Sequence, residues 1–272
     1  MNRNRFIAII LSIFLIAGCQ IFTPIPEPAT HSFVLVSDVD DTVKITNVLH
    51  SNEKVKNALA SELVFAGMPK LYRYILGENS PDGRLRFLSG SPFILEYNVT
   101  ELLNHAHFPA YKLTLRCMTE LNSSALDYKK KRLQEMYGES GDNFILVGDD
   151  TESDPAVYND FSVSKPNRVL AIYIHKIEGK EGKKLPVGSV FFVTAYDIAM
   201  HEFKAHRLSE EQAADVGNAV LDSEDATFLP GFQWCSKDPK EYEQIAGLSE
   251  TLMQLKKKIE DRIITLCSSR RG

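Results

Sequence analysis

Three aspartates within four positions follow an apolar run in the segment FVLVSDVDDT, residues 33–42. Asp38 and Asp40 are two residues apart, and side chains at i and i+2 of an extended segment lie on the same side. Carboxylates at such close range repel one another unless a cation lies between them. The pattern therefore predicts a site for a metal ion or a phosphorylated ligand. The alternative is that these aspartates cap a turn or helix, which is the commoner role of an isolated D-x-D-x-T.

Two further polar clusters follow apolar runs. The segment LRFLSGSP, residues 85–92, ends with Ser89 and Gly90 ahead of Ser91, which together offer hydroxyls and a bare backbone N–H suited to a phosphate oxygen. The segment FILVGDDTESDP, residues 144–155, carries carboxylates suited to a hard cation that prefers oxygen ligands. Its candidate metal ligands are Asp149, Asp150 and Asp154.

A lysine run lies just ahead of the last of these clusters, in DYKKKRLQEM at residues 127–136. One of its lysines could neutralise both a phosphate and a carboxylate nucleophile. Lys129, Lys130 and Lys131 are alternatives, and helix phase relative to Leu133, four residues after the first of them, favours Lys129. A lysine run is otherwise typical of a solvated helix face.

Short apolar runs alternate with helix-period segments from residue 32 onward, which is the pattern of a parallel sheet flanked by helices. Strand ends in such a sheet meet at one edge, where open α/β folds bind ligands, so the three polar clusters are expected to converge there. Helices are expected at residues 67–76, at 91–103 with Ser91 as N-cap and Pro92 at the first helical position, and at 125–138 ending at Gly138. The predicted strands are Phe33–Val36, Leu85–Leu88, Tyr111–Leu115, Phe144–Val147, Val169–Ile174 and Val190–Val193.

These clusters suit phosphoryl transfer. An attacking carboxylate needs its charge neutralised and a leaving alkoxide needs a proton, which two aspartates of unequal pKa and Mg²⁺ can supply. Asp38 is the predicted nucleophile and Asp40 the predicted acid and base. A serine hydrolase is not expected, because Ser89 and Ser91 lack the Gly-x-Ser-x-Gly elbow.

The chain resembles the haloacid-dehalogenase-type phosphatases in the order of four motifs: DVDDT, Ser89, Lys129 and GDDTESD. Within that superfamily, the chain is most similar to the App1-like phosphatidate phosphatase catalytic domain. The segments that carry this similarity are DVDDTVK, FLSGSPF, YKKKRL, FILVGDDTESDP and RVLAIYIHKI. The resemblance covers roughly residues 32 to 200. It implies a Rossmann-like parallel sheet with helices on both faces. Residues 43–66 are too few for a large cap, so the site is expected to be open.

The resemblance also implies roles for individual residues. Asp38 would form an aspartyl-phosphate, and Asp40 would protonate the leaving group and then activate water. Mg²⁺ would be held by the Asp38 carboxylate, the Asp40 backbone carbonyl and Asp149, with support from Asp154. The phosphate would be bound by Ser89, Gly90 and Lys129. The chain departs from the family pattern at Gly90, Tyr128 and Ala156, and the first two border the phosphate site.

The N-terminal residues predict a lipid anchor. The start of the chain is typical of a bacterial lipoprotein signal: two arginines precede the apolar run 6–17, which continues into Ala17-Gly18-Cys19. The apolar run is shorter than the ~20 residues of a helix that spans a membrane. The signal peptide would be residues 1–18, Cys19 would carry lipid, and residues 19–31 would be a proline-rich tether. Because Gln20 stands where an aspartate would retain the lipoprotein in the inner membrane, the outer membrane of the cell envelope is expected.

The domain is expected to span residues 32–205, with a helical extension at 206–272 packed on it. Helices are predicted at Ser209–Leu221 and Lys240–Cys267. Cys235 and Cys267 could form a disulfide in an oxidising compartment, whereas Cys117 is expected to be a buried thiol.

A Mg²⁺-dependent phosphomonoesterase acting on phosphatidate-like lipid phosphates is the favoured function. A phosphatase of small soluble esters and a non-catalytic surface lipoprotein that uses the fold for binding are the alternatives. The formal net charge of −5 argues against a nucleic-acid partner held by phosphate contacts.

Overall fold

The computed structural model describes residues 33–46, 63–77, 83–179, 186–242 and 244–270. The predicted signal peptide (1–18), Cys19 and the tether (19–31) lie outside these residues. Most of the segment 43–66, where the sequence predicts no large cap, lies outside them as well.

Six apolar runs form one parallel sheet, as the sequence predicts. The order across the sheet is β3-β2-β1-β4-β5-β6, and every neighbouring pair is parallel. β1, which precedes the first aspartates, is therefore central and pairs with both β2 and β4. The strands are β1 (Phe33–Ser37), β2 (Leu85–Pro92), β3 (Tyr111–Arg116), β4 (Asn143–Asp149), β5 (Val169–His175) and β6 (Val190–Phe192).

Helices cover both faces of the sheet. The described helices are α1 (Met68–Leu76), α2 (Glu96–His105), α3 (Ala125–Ser140), α4 (Asp154–Ser164), α5 (Ala195–Lys204), α6 (Glu210–Leu221), α7 (Asp225–Phe228) and α8 (Glu250–Ser269). Side chains alternate across the strands, because successive residues of a strand point to opposite faces. In β1, Leu35 packs into a core shared with α1, α5, α6 and α8, whereas Val34 and Val36 pack into a second core shared with α3 and α4.

Three predicted helix boundaries are wrong. Ser91 and Pro92 do not start a helix: Pro92 is extended and pairs with Arg116 of β3, and α2 begins only after a 3₁₀ turn at Phe93–Leu95. α3 continues past Gly138 to Ser140, and Gly141 ends it in the left-handed region at φ 62°, where a residue without a Cβ is unstrained.

The third wrong boundary concerns the last helix, which begins at Glu250 rather than near Lys240. Ser249 caps it by accepting a hydrogen bond from the backbone N–H of Leu252. A serine N-cap satisfies one of the unpaired N–H groups of the first turn, and this local bond decides where the helix starts.

The C-terminal helices pack on the α1 side of the sheet. Leu252, Leu255 and Ile259 of α8 are buried in the same core as Leu35 of β1. The Tyr196 hydroxyl of α5 donates to the Leu252 carbonyl oxygen at 2.8 Å. No helix in the described part of the chain combines the length and the apolar composition needed to cross a bilayer.

A disulfide joins Cys235 to Cys267, and their Cα atoms are 6.0 Å apart. The hypothesis that these two cysteines pair is confirmed. The prediction for Cys117 is wrong, because this thiol is exposed. β3 ends at Arg116, so Cys117 lies beyond the sheet as the N-cap of a 3₁₀ turn at Met118–Glu120 rather than inside a strand.

Candidate active site

The first acidic loop begins where β1 ends. The backbone N–H of Asp38 donates to the Val147 carbonyl oxygen at 2.9 Å, which extends the strand pairing with β4 by one residue. Asp41, with φ 56°, then turns the chain back, and its carboxylate accepts hydrogen bonds from the N–H and the hydroxyl of Thr46 at 2.9 and 2.8 Å. Of the three clustered aspartates, Asp41 therefore holds the loop together and leaves Asp38 and Asp40 for the site.

Lys129 of α3 reaches two buried carboxylates at the edge of the sheet. Its Nζ lies 2.7 Å from Asp38 Oδ1 and 2.6 Å from Asp154 Oδ1. All three residues are at most 3% exposed. The sequence left Lys130 and Lys131 open as alternatives, but Lys130 pairs with Asp160 on α4 and the Lys131 side chain is 63% exposed.

Asp149 completes a cluster of three carboxylates. One carboxylate oxygen from each of Asp38, Asp149 and Asp154 lies within 4.8 Å of the other two. The Thr42 hydroxyl lies between two of them, 3.3 Å from Asp38 Oδ2 and 3.4 Å from Asp149 Oδ2. Thr42 is the last residue of the D-x-D-x-T motif, so its spacing from Asp38 was visible in the sequence, although no role was predicted for it.

The cluster carries more negative than positive charge. Burial raises the pKa of Asp38 well above its ordinary value, against the opposing effect of Lys129. Burial and the neighbouring Asp154 likewise raise the pKa of Asp149. Burial alone would lower the pKa of Lys129, but the carboxylates of Asp154 and Asp38 outweigh it, so that pKa is raised well above its ordinary value and the lysine is cationic.

The donor set fits a divalent cation. Three buried carboxylates lie together and one lysine pairs with two of them, and oxygen ligands are those that Mg²⁺ and Ca²⁺ prefer. A cation held by Asp38 and Asp149 would offset the cost of burying their charges, which is the main reason that their pKa values are raised. The backbone carbonyl of Asp40, predicted as a further ligand, belongs to the same loop.

Asp150 and Asp154 separate into a structural and a site carboxylate. The Asp150 carboxylate accepts three backbone N–H groups, those of Ile177 and Glu178 on Oδ1 and that of Gly179 on Oδ2, at 2.8–2.9 Å. It therefore ties the β4 loop to the segment after β5, whereas Asp154 faces Lys129. The sequence left open which of the two completes the site, and the geometry places Asp154 there.

Gly148 makes the position of Asp154 possible. A Cβ at residue 148 would lie 2.6 Å from the Cβ of Asp154, so only a residue without a side chain lets α4 start so close to β4.

Asp40 lies against the second polar cluster. Its Oδ2 accepts hydrogen bonds from the Ser91 hydroxyl at 2.8 Å and from the Ser89 hydroxyl at 3.3 Å. Asp40 is partly exposed, unlike Asp38. Gly90, between the two serines, is close to Lys129: a Cβ there would lie 3.9 Å from the lysine Cε. The predicted phosphate-binding residues Ser89, Gly90 and Lys129 are thus brought together.

His175 is a component of the site edge that sequence reasoning missed. Burial lowers its pKa to about 4, so the imidazole is neutral at pH 7. Gln233 donates to Nε2 at 2.8 Å and to the Val193 carbonyl at 2.7 Å, which leaves Nδ1–H to donate to the Asp41 carbonyl oxygen at 2.8 Å. Through Gln233, the C-terminal extension thereby supports His175, which in turn holds the first acidic loop. His175 and Asp41 are 134 positions apart, and no local pattern signals their contact.

The family described as "Phosphatidate phosphatase APP1, catalytic domain" matches residues 33–176, which contain all of the acidic loops and Lys129. The chain is 29% identical over 154 residues to Phosphatidate phosphatase APP1 of Saccharomyces cerevisiae, an alignment that covers 52% of the chain and 25% of that protein. It is 25% identical over 163 residues to an uncharacterized protein of Schizosaccharomyces pombe, covering 56% of the chain and 26% of that protein. The chain thus spans about a quarter of the length of these curated relatives. No solved structure matches the chain significantly.

Proposed function

Because the chain belongs to the family of the phosphatidate phosphatase APP1 catalytic domain, we propose that it is a metal-dependent phosphatase that hydrolyses phosphatidate-like lipid phosphates through an aspartyl-phosphate. The observation that carries the proposal is the buried cluster of Asp38, Asp149 and Asp154 around Lys129, within the segment that matches the family. The yeast relative is named a phosphatidate phosphatase, and this is the reason for favouring a lipid phosphate.

Each residue of the site has a role in this mechanism. An Asp38 carboxylate oxygen attacks phosphorus, a phosphorus–oxygen bond forms, and the bond from phosphorus to the alkoxide of the substrate breaks. Asp40 gives that alkoxide its proton, and the Ser91 and Ser89 hydroxyls hold the Asp40 carboxyl in place. Asp40 then takes a proton from water, whose oxygen attacks phosphorus, so that phosphate leaves and the Asp38 carboxylate is regenerated.

Lys129 pairs with carboxylates in the free protein and would bind the phosphate of the substrate during the reaction. Its ammonium group is fixed by Asp38 and Asp154, and it offers positive charge where phosphate oxygens would lie beside Ser89 and Gly90. Asp38 and Asp149, with the Asp40 carbonyl, would hold Mg²⁺, and Asp154 would support the site through Lys129. The chemistry that the cation supplies when bound is neutralisation of the phosphate and carboxylate charges.

The decisive experiment is phosphate release by the purified full-length chain. Each substrate is assayed once in the presence of Mg²⁺ and once in the presence of EDTA. The substrates are phosphatidate in vesicles or mixed micelles, a short-chain water-soluble analogue and a panel of sugar phosphates. We expect turnover of phosphatidate with Mg²⁺ and none with EDTA. Turnover of soluble esters alone would replace the lipid hypothesis with that of a soluble-ester phosphatase. An absence of turnover on every ester, with metal binding retained, would favour a non-catalytic binding module.

We also propose that the protein is anchored to the outer membrane by lipid on Cys19. The support is the sequence alone: a charged start, an apolar run and a cysteine after Ala17-Gly18. Membrane fractionation of cells that express wild type and Cys19→Ala is the test. We expect the wild type in the outer-membrane fraction and the Cys19→Ala variant out of it, because alanine has no thiol to carry lipid. Equal distribution of the two proteins would contradict the anchor.

A further inference from the structure

Large apolar side chains are exposed next to the site. Nine large hydrophobic residues are exposed in the described part of the chain, and five of them lie in the two segments that follow β2 and β3. We call these five the apolar rim: Phe93 (46% exposed), Ile94 (72%), Tyr97 (74%), Met118 (63%) and Leu121 (38%). Concentration of exposed apolar surface at one place marks an interaction surface, whereas scattered exposed residues need no explanation.

The apolar rim begins at the strand ends that border the site. Pro92 and Arg116, the last residues of β2 and β3, are direct partners in the sheet, so the two segments of the rim start from adjacent strand ends. The first segment starts at Phe93, two residues after Ser91, whose hydroxyl binds Asp40 at 2.8 Å. Both segments therefore lie at the carboxyl edge of the sheet, where the cluster around Lys129 lies.

Hydrogen bonds hold the second segment of the rim in place. The Arg116 guanidinium donates to the carbonyl oxygens of Glu120 and Leu121 at 3.1 and 3.2 Å and also to that of Ser123. Arg132 pairs with the Glu120 carboxylate. Because Arg116, Arg132 and Glu120 bind partners within the fold, they hold the turn that carries Met118 and Leu121 in a fixed position.

We propose that the apolar rim is the surface by which this protein contacts a lipid bilayer, and that it inserts into the interface while the site processes a lipid headgroup. The proposal rests on the proposed function, in that it assigns the apolar portion of an amphiphilic substrate to the rim and its phosphate to Ser89 and Lys129. Tyr97 lies four residues after Phe93 and three after Ile94, spacings at which the side chains of a helical segment are neighbours, and an aromatic residue with a polar end suits a bilayer interface. A lipid bilayer is the expected partner, since an uncharged apolar and aromatic surface binds a bilayer interface through its buried apolar area rather than through headgroup charge.

The first test places a fluorescent reporter on the rim. Ile94→Trp and Val163→Trp are made in the full-length chain; Val163, in α4, is 74% exposed and is thus a matched control outside the rim. Each is mixed with phosphatidylcholine vesicles with brominated acyl chains, and the signal of the wild type, which comes from Trp234, is subtracted. We expect the reporter of Ile94→Trp to be quenched and blue-shifted and that of Val163→Trp to be neither. Equal quenching of the two reporters, or quenching of neither, overturns the proposal.

The second test measures rates. The double variant Ile94→Ser/Tyr97→Ser is compared with the matched control Val163→Ser/Val187→Ser, after thermal melts show that both are folded. We expect the ratio of vesicle-embedded to short-chain soluble phosphatidate turnover to fall about ten-fold or more in the rim variant only, since each apolar side chain adds to the affinity for the interface. An unchanged ratio overturns the proposal.

Two further results separate this inference from its alternatives. If the wild type is a dimer by light scattering and the rim variant is a monomer, the rim is a contact between copies of the chain, and the bilayer proposal is wrong. If no ester is hydrolysed, the proposed function fails, but the quenching experiment still decides whether the rim meets lipid.

Discussion

Two groups of ionised side chains built around buried carboxylates differ in their charge balance. On the α5 side of the sheet, the Glu202 carboxylate is fully buried and receives hydrogen bonds from Arg207, through Nε at 2.5 Å and Nη2 at 2.8 Å, and from the Tyr173 hydroxyl. One anion thus meets one cation, and both carboxylate oxygens are satisfied.

At the carboxyl edge of the sheet the balance is different. One cation, Lys129, serves Asp38 and Asp154, and Asp149 adds a third carboxylate. Burial of excess charge is unfavourable, so these carboxylates either take up protons, as their raised pKa values indicate, or bind a cation that restores the balance. The comparison shows that burial of ionised groups does not by itself mark a functional site, whereas an unbalanced charge does.

The largest expected effect is a loss of turnover when a carboxylate of the unbalanced cluster, that of Asp38, is removed. Asp38→Asn removes the attacking oxygen, so the phosphatase rate is expected to fall by at least about 10³-fold while the protein stays folded. The measurement is initial phosphate release with Mg²⁺. Asp160→Asn, which alters the half-exposed partner of Lys130, is the control and should keep its rate. Near-normal turnover by Asp38→Asn would show that the aspartyl-phosphate mechanism is wrong.

The balanced pair should respond in stability instead. Glu202→Gln leaves the Arg207 charge without its partner, and we expect the free energy of unfolding to fall by about 3 kcal/mol. Denaturant unfolding followed by circular dichroism measures it. Asp160→Asn, in a surface ion pair, should change stability by less than about 1 kcal/mol. The balanced-pair interpretation fails if Glu202→Gln is no more destabilising than this control.

Metal binding should stabilise the unbalanced cluster. At a Mg²⁺ concentration about 100-fold above its Kd, the expected gain is about 2.7 kcal/mol, or a rise in Tm of roughly 5–10 °C. Asp149→Asn should lose most of this rise because it removes a ligand oxygen. Melting curves with Mg²⁺ and with EDTA are the measurement. An equal rise in wild type and Asp149→Asn would place the metal elsewhere.

The smallest effect is a pH dependence of stability without metal. The pKa of Asp38 is raised by burial, so its favourable contribution is complete below the ordinary value of 3.8 and is lost as pH rises through the raised pKa. Asp38→Asn should therefore gain stability relative to wild type as pH rises from 5 to 8. Unfolding of both proteins in EDTA across this range is the measurement. A difference that is constant or shrinks with pH would contradict the assigned shift.

The strands were predictable because each is a short apolar run, and side-chain periodicity is a local property of the chain. The predicted ends of all six strands lie within two residues of the observed ends, with one exception. The exception is the carboxyl end of β2, which continues to Pro92. The helix ends at Gly141 and Ser249 were missed, since several nearby residues could cap each helix and only the packed structure selects one.

The sequence by itself determined which residue types reach the edge of the sheet. DVDDT, LSGS and GDDTESD each follow an apolar strand, and parallel strands must end at a common edge, so Asp38, Ser89 and Asp149 were placed there by spacing alone. Only the tertiary structure decided which neighbour in each cluster faces the site. The side chains that meet there are Lys129 rather than Lys130 and Asp154 rather than Asp150. This choice follows from the packing of α3 and α4 on β4, which fixes the rotation of each helix and its distance from the sheet. The links from His175 to Asp41 and from Arg207 to Glu202 were likewise beyond the sequence, because hydrogen bonds between buried groups depend on which surfaces the folded chain brings into contact.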